Sequence, residues 1–298
     1  MVTGIQPSRS LGHALGLGLA VGAASLWGLA GVAAQVLFQR HAIDPRWLVA
    51  MRMVGGGLIL LAVFRPVWPR SQWRWLLLWA VLGIAAAQLF WFFAIDLSNV
   101  ATATFIQYIY VAITAGWQMA RGEVRPTLSR LGAVTAAAAG VTLLVVGEPG
   151  GVQGLRLNPL GTVFAFASAV SAAFMFLGSA RVVRAVGPWS STTWGLALGG
   201  IPMLLWTPPW EVHAVGDLIS VVVLTSFVVV GGTALAFSLF FASLRRITPT
   251  EAAVSSTIEP AVAALAAFLF LGVQLLPLQY VGGGLILMGV VLLAALKS

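Results

Sequence analysis

Apolar runs of about twenty residues follow one another along almost the whole chain, with only short polar breaks between them. A run of that length matches the hydrocarbon thickness of a bilayer when it is helical. In lipid, helices and closed barrels alone satisfy every backbone N–H and C=O. Cutting at charged, Pro-rich and Gly-rich stretches gives ten candidate spans: 11–38, 46–64, 75–97, 101–120, 130–147, 160–180, 189–207, 218–243, 250–271 and 279–296. The linkers are too short to hold a soluble domain. The expected fold is therefore an all-α integral membrane protein, ten transmembrane helices in one membrane domain over residues 1–298.

Composition agrees with this and closes other routes. Of 298 residues, 60% are hydrophobic and 8% charged, against about 25% charged in an ordinary soluble chain. The net charge of +8 suggests nucleic acid only if the basic residues share one soluble face. Here they sit in small groups between apolar runs, so nucleic acid is not an expected partner. No cysteine is present, which removes thiolate chemistry. His13, His41 and His213 lie at or beyond span ends, Asp44 and Asp217 lie in loops, and no G-x-S-x-G elbow occurs. The constellations an intramembrane enzyme needs are missing, and no enzyme activity or cofactor is expected. The first apolar run is too long for a signal-peptide core and reads as a retained span.

Orientation follows from the basic residues. Arg9, Arg65, Arg70, Arg74, Arg121, Arg125, Arg130, Arg181, Arg184, Arg245, Arg246 and Lys297 fall on one side. Arg40, Arg46 and Arg156 fall on the other. The positive-inside rule then places both termini in the cytoplasm. Trp68, Trp73 and Trp75 mark one boundary, and Trp47, Trp206 and Trp210 the other. Asp44-Pro45, Asn158-Pro159 and Thr248-Pro249-Thr250-Glu251 supply helix-start chemistry. Gly12-x-x-x-Gly16, Gly18-x-x-x-Gly22, Gly195-x-x-x-Gly199 and the Gly55 and Gly282 triplets suit close helix packing.

The two halves, 11–147 and 159–297, resemble each other. A constant shift lays Ala101 on Glu251, Gly122 on Gly272 and Gly132 on Gly282. Five spans per half is an odd number, so the second half would enter the membrane inverted. Inverted repeats typify secondary transporters that bind substrate at mid-membrane and alternate access.

At this point the chain resembles a family. Ala24-Ser25-Leu26-Trp27-Gly28, Ala50-Met51-Arg52, Arg121-Gly122-Glu123, Leu131-Gly132 with Gly140, and Glu259-Pro260 are similar to the EamA-type branch of the drug/metabolite transporter superfamily. Two departures are Gly272-Val273, where family members often carry Gly-Glu, and Val111, where a proline is common. Tyr108-Ile109-Tyr110-Val111 looks most like the YddG-type aromatic amino acid exporters. That resemblance implies a monomeric protein of the bacterial inner membrane that exports aromatic and other neutral amino acids. Lipophilic cations or other small metabolites are the alternative cargo within the superfamily, and a channel is the alternative mechanism.

Few charges lie inside the spans, and an ionisable residue there is a functional candidate by default. Glu259 falls about ten residues into the ninth span, where a carboxylate costs about 2.5 kcal/mol unless paired, hydrated or protonated. It would meet a substrate ammonium or a coupling proton. The structural alternative is a protonated acid bonding the backbone carbonyl freed by Pro260. At 100° per residue, Thr104, Gln107, Tyr108, Thr114 and Gln118 form a polar stripe on the fourth span. Tyr108 and Tyr110 suit the wall of a cavity for an aromatic side chain, with core packing as the alternative. Trp27, Gln88, Phe92, Phe174 and Phe176 would complete that wall. Arg52 is a gate candidate with Asp96 or Glu148 as its partner and Pro260 as a bend. No ATP-binding motif occurs, which leaves an equilibrative carrier or one coupled to protons.

Overall fold

The structure is a computed structural model that describes residues 8–123, 125–146, 158–243, 245–247, 255–274 and 276–295. The described chain is helical: α1 (Ser8–His41), α2 (Pro45–Val63), α3 (Trp73–Leu97), α4 (Val100–Ala120), α5 (Leu128–Val146), α6 (Pro159–Trp206), α7 (Leu218–Ser243), α8 (Ile258–Leu271) and α9 (Pro277–Ala295). Among the described residues, six helices are long and apolar enough to cross a membrane, and shorter apolar helices include Ile258–Leu271.

Local chemistry sets the helix starts. Asp44 accepts from the Arg46 N–H with Pro45 in the first turn, and Asn158 accepts from the Leu160 N–H with Pro159 in the first turn. Both follow the cap-plus-proline pattern legible in the sequence. Asn99 and Asp217 cap α4 and α7 with their side chains, without a proline. The Thr248–Glu251 start lies outside the described residues.

Hydropathy alone would end the sixth span near residue 180, but α6 runs on. It breaks at Gly187, whose φ of 79° and ψ of 166° are not helical, and resumes at Pro188. One charged residue in this extension is satisfied beside the helix. Arg181 donates from Nε to Gln72 at 2.6 Å and stacks over Trp75.

Two other expectations of continuous helix are corrected. In α4 the ladder is interrupted at Tyr108 and Ile109, where Val111 N–H bonds back to Tyr108 O. In the ninth apolar run a turn at Thr257 precedes α8, so Glu259 stands in the first turn of a helix and not deep within one. Both α3 and α7 contain a π-helical stretch, Trp79–Ala85 and Phe227–Leu235. Such wide turns shift side chains around the axis and leave carbonyls partly free.

Packing puts α1 at the centre, against α8, α7, α3 and α4. Helix α2 lies between α6 and α7, α3 packs on α6, and α5 pairs with α9. Small residues permit the closest approaches. A Cβ at Gly28 of α1 would fall 2.9 Å from the Glu259 carbonyl oxygen, so α1 touches the backbone of α8 at the start of that helix. In the α5–α9 pair the contact is reciprocal. A Cβ at Gly140 would meet Gly282 O at 2.5 Å, and one at Gly289 would meet Ala133 O at 2.6 Å.

Candidate functional site

Buried polar residues gather at two places. The first surrounds Arg52 on α2, which is 3% exposed. Its Nε donates to Thr233 Oγ1 at 3.1 Å, one Nη to Gln88 Oε1 at 2.7 Å, and the other Nη to Gly232 O at 3.4 Å. Thr233 and Gly232 belong to the π stretch of α7, and Gln88 follows the π stretch of α3. The guanidinium also lies over the Phe92 ring, 5.0 Å from its centroid. Phe92 is fully buried, stacks with Trp91 and meets Phe38 edge-on. It therefore supports Arg52 and does not line an open cavity.

The ion pair expected between Arg52 and Asp96 is not formed. Asp96 lies eight residues beyond Gln88 on the same helix, roughly 12 Å along the axis, at the end of the bundle opposite the arginine-rich loops. There it lines a cavity of about 560 Å³ with Asp44, Arg46, Phe38, Phe93 and Trp206. Asp44 and Arg46 form an ion pair across that mouth, with Arg46 Nε 2.9 Å from each carboxylate oxygen. Partial burial pushes the Asp44 carboxyl up, but the hydrogen bonds and charge of Arg46 outweigh it and hold it below its ordinary value. Asp217 at the start of α7 is held low by its bonds from Ser220 and Ile219. The other suggested partner of Arg52, Glu148, lies outside the described residues.

The second place is where the interrupted part of α4 meets the start of α8. Tyr108 is 3% and Glu259 8% exposed. The Tyr108 Oη lies 2.9 Å from Glu259 Oε2 and 2.6 Å from the Ser256 carbonyl oxygen. Tyr110 packs beside Tyr108 at 5.6 Å between ring centroids and stacks on Phe176 at 4.6 Å, nearly parallel. Pro260 is buried next to Glu259. Arg52 and Glu259 act on each other electrostatically without forming an ion pair. Opposite charges thus stand apart, on α2 and α8.

The remaining sequence candidates divide. Thr104 accepts from the Trp91 indole at 3.2 Å, and Gln107 donates to Ser168 at 2.7 Å, tying α4 to α3 and α6. Thr114 bonds the carbonyl of Tyr110 in its own helix. Trp27 packs on Phe237 and Phe240 of α7, and its buried indole N–H has no partner among the described residues. Phe174 packs on Trp75. The aromatic that reaches Tyr110 is Phe176, two residues later.

Ser168, Gly232 and Thr233 were not singled out from sequence. The signal for the last two is a Gly-Gly-Thr run inside the apolar stretch "VVVGGTALAF", where small and hydroxylic residues allow a close polar contact.

Residues 14–146 and 159–295 match the model of the EamA-like transporter family. The chain is 30% identical over 282 residues to an uncharacterised inner membrane transporter, YicL, of Salmonella typhimurium, covering 91% of this chain and 92% of that one. It is also similar to a solved crystal structure of a protein, with a TM-score of 0.63, 19% identity and 96% of each chain covered. The last similarity concerns the fold.

Proposed function

Since the chain belongs to the EamA-like transporter family and is a multi-pass membrane transporter, we propose that it exports neutral amino acids, aromatic ones foremost, from the cytoplasm by alternating access. The observation that carries this is the pair of buried ionisable groups, Arg52 and Glu259, held apart, with Tyr108 and Tyr110 beside Glu259 and Phe176 stacked on Tyr110. An α-amino acid presents a carboxylate and an ammonium a fixed short distance apart. Arg52 suits the first and Glu259 the second, and stacked rings suit an aromatic side chain.

The proposal extends to architecture. Ten spans in two inverted five-helix repeats, 11–147 and 159–297, would place this site between the repeats. Three features recur under the shift that pairs Ala101 with Glu251. The π stretches end at Ala85 and Leu235, the helices break at Tyr108 and, one residue out of step, at Thr257, and Gly122 and Gly272 both adopt left-handed φ near helix ends. Matching irregularities in two halves support an ancient duplication. With the basic loops inside, both termini are cytoplasmic. Asp96, Asp44 and Arg46 then line the outer mouth, where an opening gate would act.

A second cargo is favoured by one feature: Glu259 beside two tyrosines also suits a lipophilic cation. Uptake of labelled tryptophan into liposomes holding the purified protein, competed with other amino acids and with a lipophilic cation, separates the two. Saturable uptake blocked by neutral amino acids is the expected result. Competition by the cation alone would overturn the amino acid assignment.

A further inference from the structure

In a regular helix the Ser256 carbonyl would accept from the N–H of residue 260. That residue is proline and has no N–H to give. The Tyr108 hydroxyl, from a different helix, stands in that place at 2.6 Å. The same oxygen is 2.9 Å from Glu259 Oε2. A phenol has one hydrogen to donate and can also accept. With Glu259 ionised, one hydrogen faces two acceptors, so only one of these short contacts is a hydrogen bond. With Glu259 protonated, both are: the carboxylic O–H donates to Tyr108 Oη, and Tyr108 donates to the Ser256 carbonyl.

We propose that Tyr108, Glu259 and the Ser256 carbonyl form a proton-operated latch that joins the interruption of α4 to the turn before α8. The proton bound at Glu259 is the coupling ion. On its loss to water, Tyr108 keeps its own hydrogen and turns it to the carboxylate, releasing the Ser256 carbonyl. Two bonds between the helices become one, at the two points where their backbone ladders are already interrupted. Gly28 of α1 lies so near the Glu259 carbonyl that even a Cβ there would crowd it, so a shift of this turn would reach the central helix.

The ionisable groups that face Glu259 are Tyr108 and Tyr110 on α4, with Arg52 on α2 acting across a gap. Helix α1, packed on α8, carries its ionisable residues within two turns of its ends. What the latch moves rests on the carrier assignment above, but the latch itself is testable without transport.

The test is an infrared difference spectrum of the protein in lipid on acidification. A carboxylic-acid stretch is expected to grow in, to vanish in Glu259→Gln, and to move to higher frequency in Tyr108→Phe, where the acceptor is lost. An acid-induced spectrum unchanged in Glu259→Gln, or a band unmoved in Tyr108→Phe, overturns the proposal. In liposomes with an entrapped pH dye, the wild type should move a proton with each tryptophan. Saturable tryptophan uptake without proton movement in the wild type refutes the coupling role and leaves the carrier assignment standing. The shifted band without tryptophan uptake supports the latch and refutes the substrate.

Discussion

Arg52 and Glu259 are both ionisable, both buried and both inside the helix bundle, yet they are held in different ways. Three fixed acceptors from two helices surround Arg52, and an aromatic ring closes one face. Glu259 rests on one hydroxyl that it shares with a backbone carbonyl. A cation enclosed by preset dipoles stays charged and in place. A carboxylate that competes for a single hydrogen can change state with little rearrangement. The contrast divides the site into an anchor on α2 and a moving part on α8.

The largest effect should come from disturbing the anchor. Gln88→Leu removes the 2.7 Å acceptor and leaves a buried charge short of a partner, for a loss of about 3 kcal/mol. Glu259→Gln keeps size and hydrogen-bonding capacity and should cost less than about 1 kcal/mol. Thermal unfolding in detergent measures both. Equal losses would erase the contrast.

Next is the contact that couples the moving part to α1. Gly28→Val sets a branched side chain against the backbone of α8 and should cost about 1–3 kcal/mol by overpacking. The same substitution at Gly12, where nothing lies within 4 Å, should be much milder. Such a difference, read by the same unfolding assay, would place the strain at the α1–α8 contact.

A smaller effect is expected at the aromatic wall. Tyr110→Ala removes the stack on Phe176 and should weaken tryptophan affinity by about 1 kcal/mol, whereas Tyr110→Phe keeps it. Competition binding would show whether the ring or the hydroxyl matters.

The smallest concerns Asp44, whose carboxyl is held low by Arg46 against the push of burial. A lowered value means the stabilisation is complete above the ordinary carboxylate range, near ~4. It is lost as pH falls through the lowered value. Solvent screens the ion pair and asparagine can still cap the helix, so Asp44→Asn should cost only about 0.5 kcal/mol, the share carried by the charge. The acid limb of a pH–stability curve should flatten in that variant.

Much of the fold was legible because it depends on patterns a sequence displays. Apolar runs, caps such as Asp44-Pro45 and Asn158-Pro159, and the glycines between α5 and α9 all have local causes. Irregular backbone was not legible. The π stretches of α3 and α7 contain no proline and read as ordinary apolar helix, yet they set the acceptors around Arg52. The interruption at Tyr108 also carries no proline, so a polar stripe drawn at 100° per residue from Thr104 to Gln118 takes no account of it. Asp96 seemed the natural partner for Arg52 because opposite charges are rare in the spans. Neutral acceptors reached it first, and their spacing is set by tertiary packing.

For the site, Glu259, Pro260, Tyr108 and Tyr110 came from residue type and depth, and the structure brings these four together. It could not be read from sequence that Pro260 withholds an N–H from the very carbonyl that Tyr108 meets. That relation needs the approach of two helices distant in the chain.

The most direct test of the central assignment is competition against labelled tryptophan uptake by three unlabelled molecules: tryptophan, tryptamine and indole-3-propionate. The first carries both charges, the second only the ammonium and the third only the carboxylate. A site with Arg52 and Glu259 at its two ends predicts strong competition by tryptophan and weak competition by either half-molecule. Tryptamine competing as well as tryptophan would contradict it, and would leave Glu259 as a receptor for cations with Arg52 a structural anchor alone.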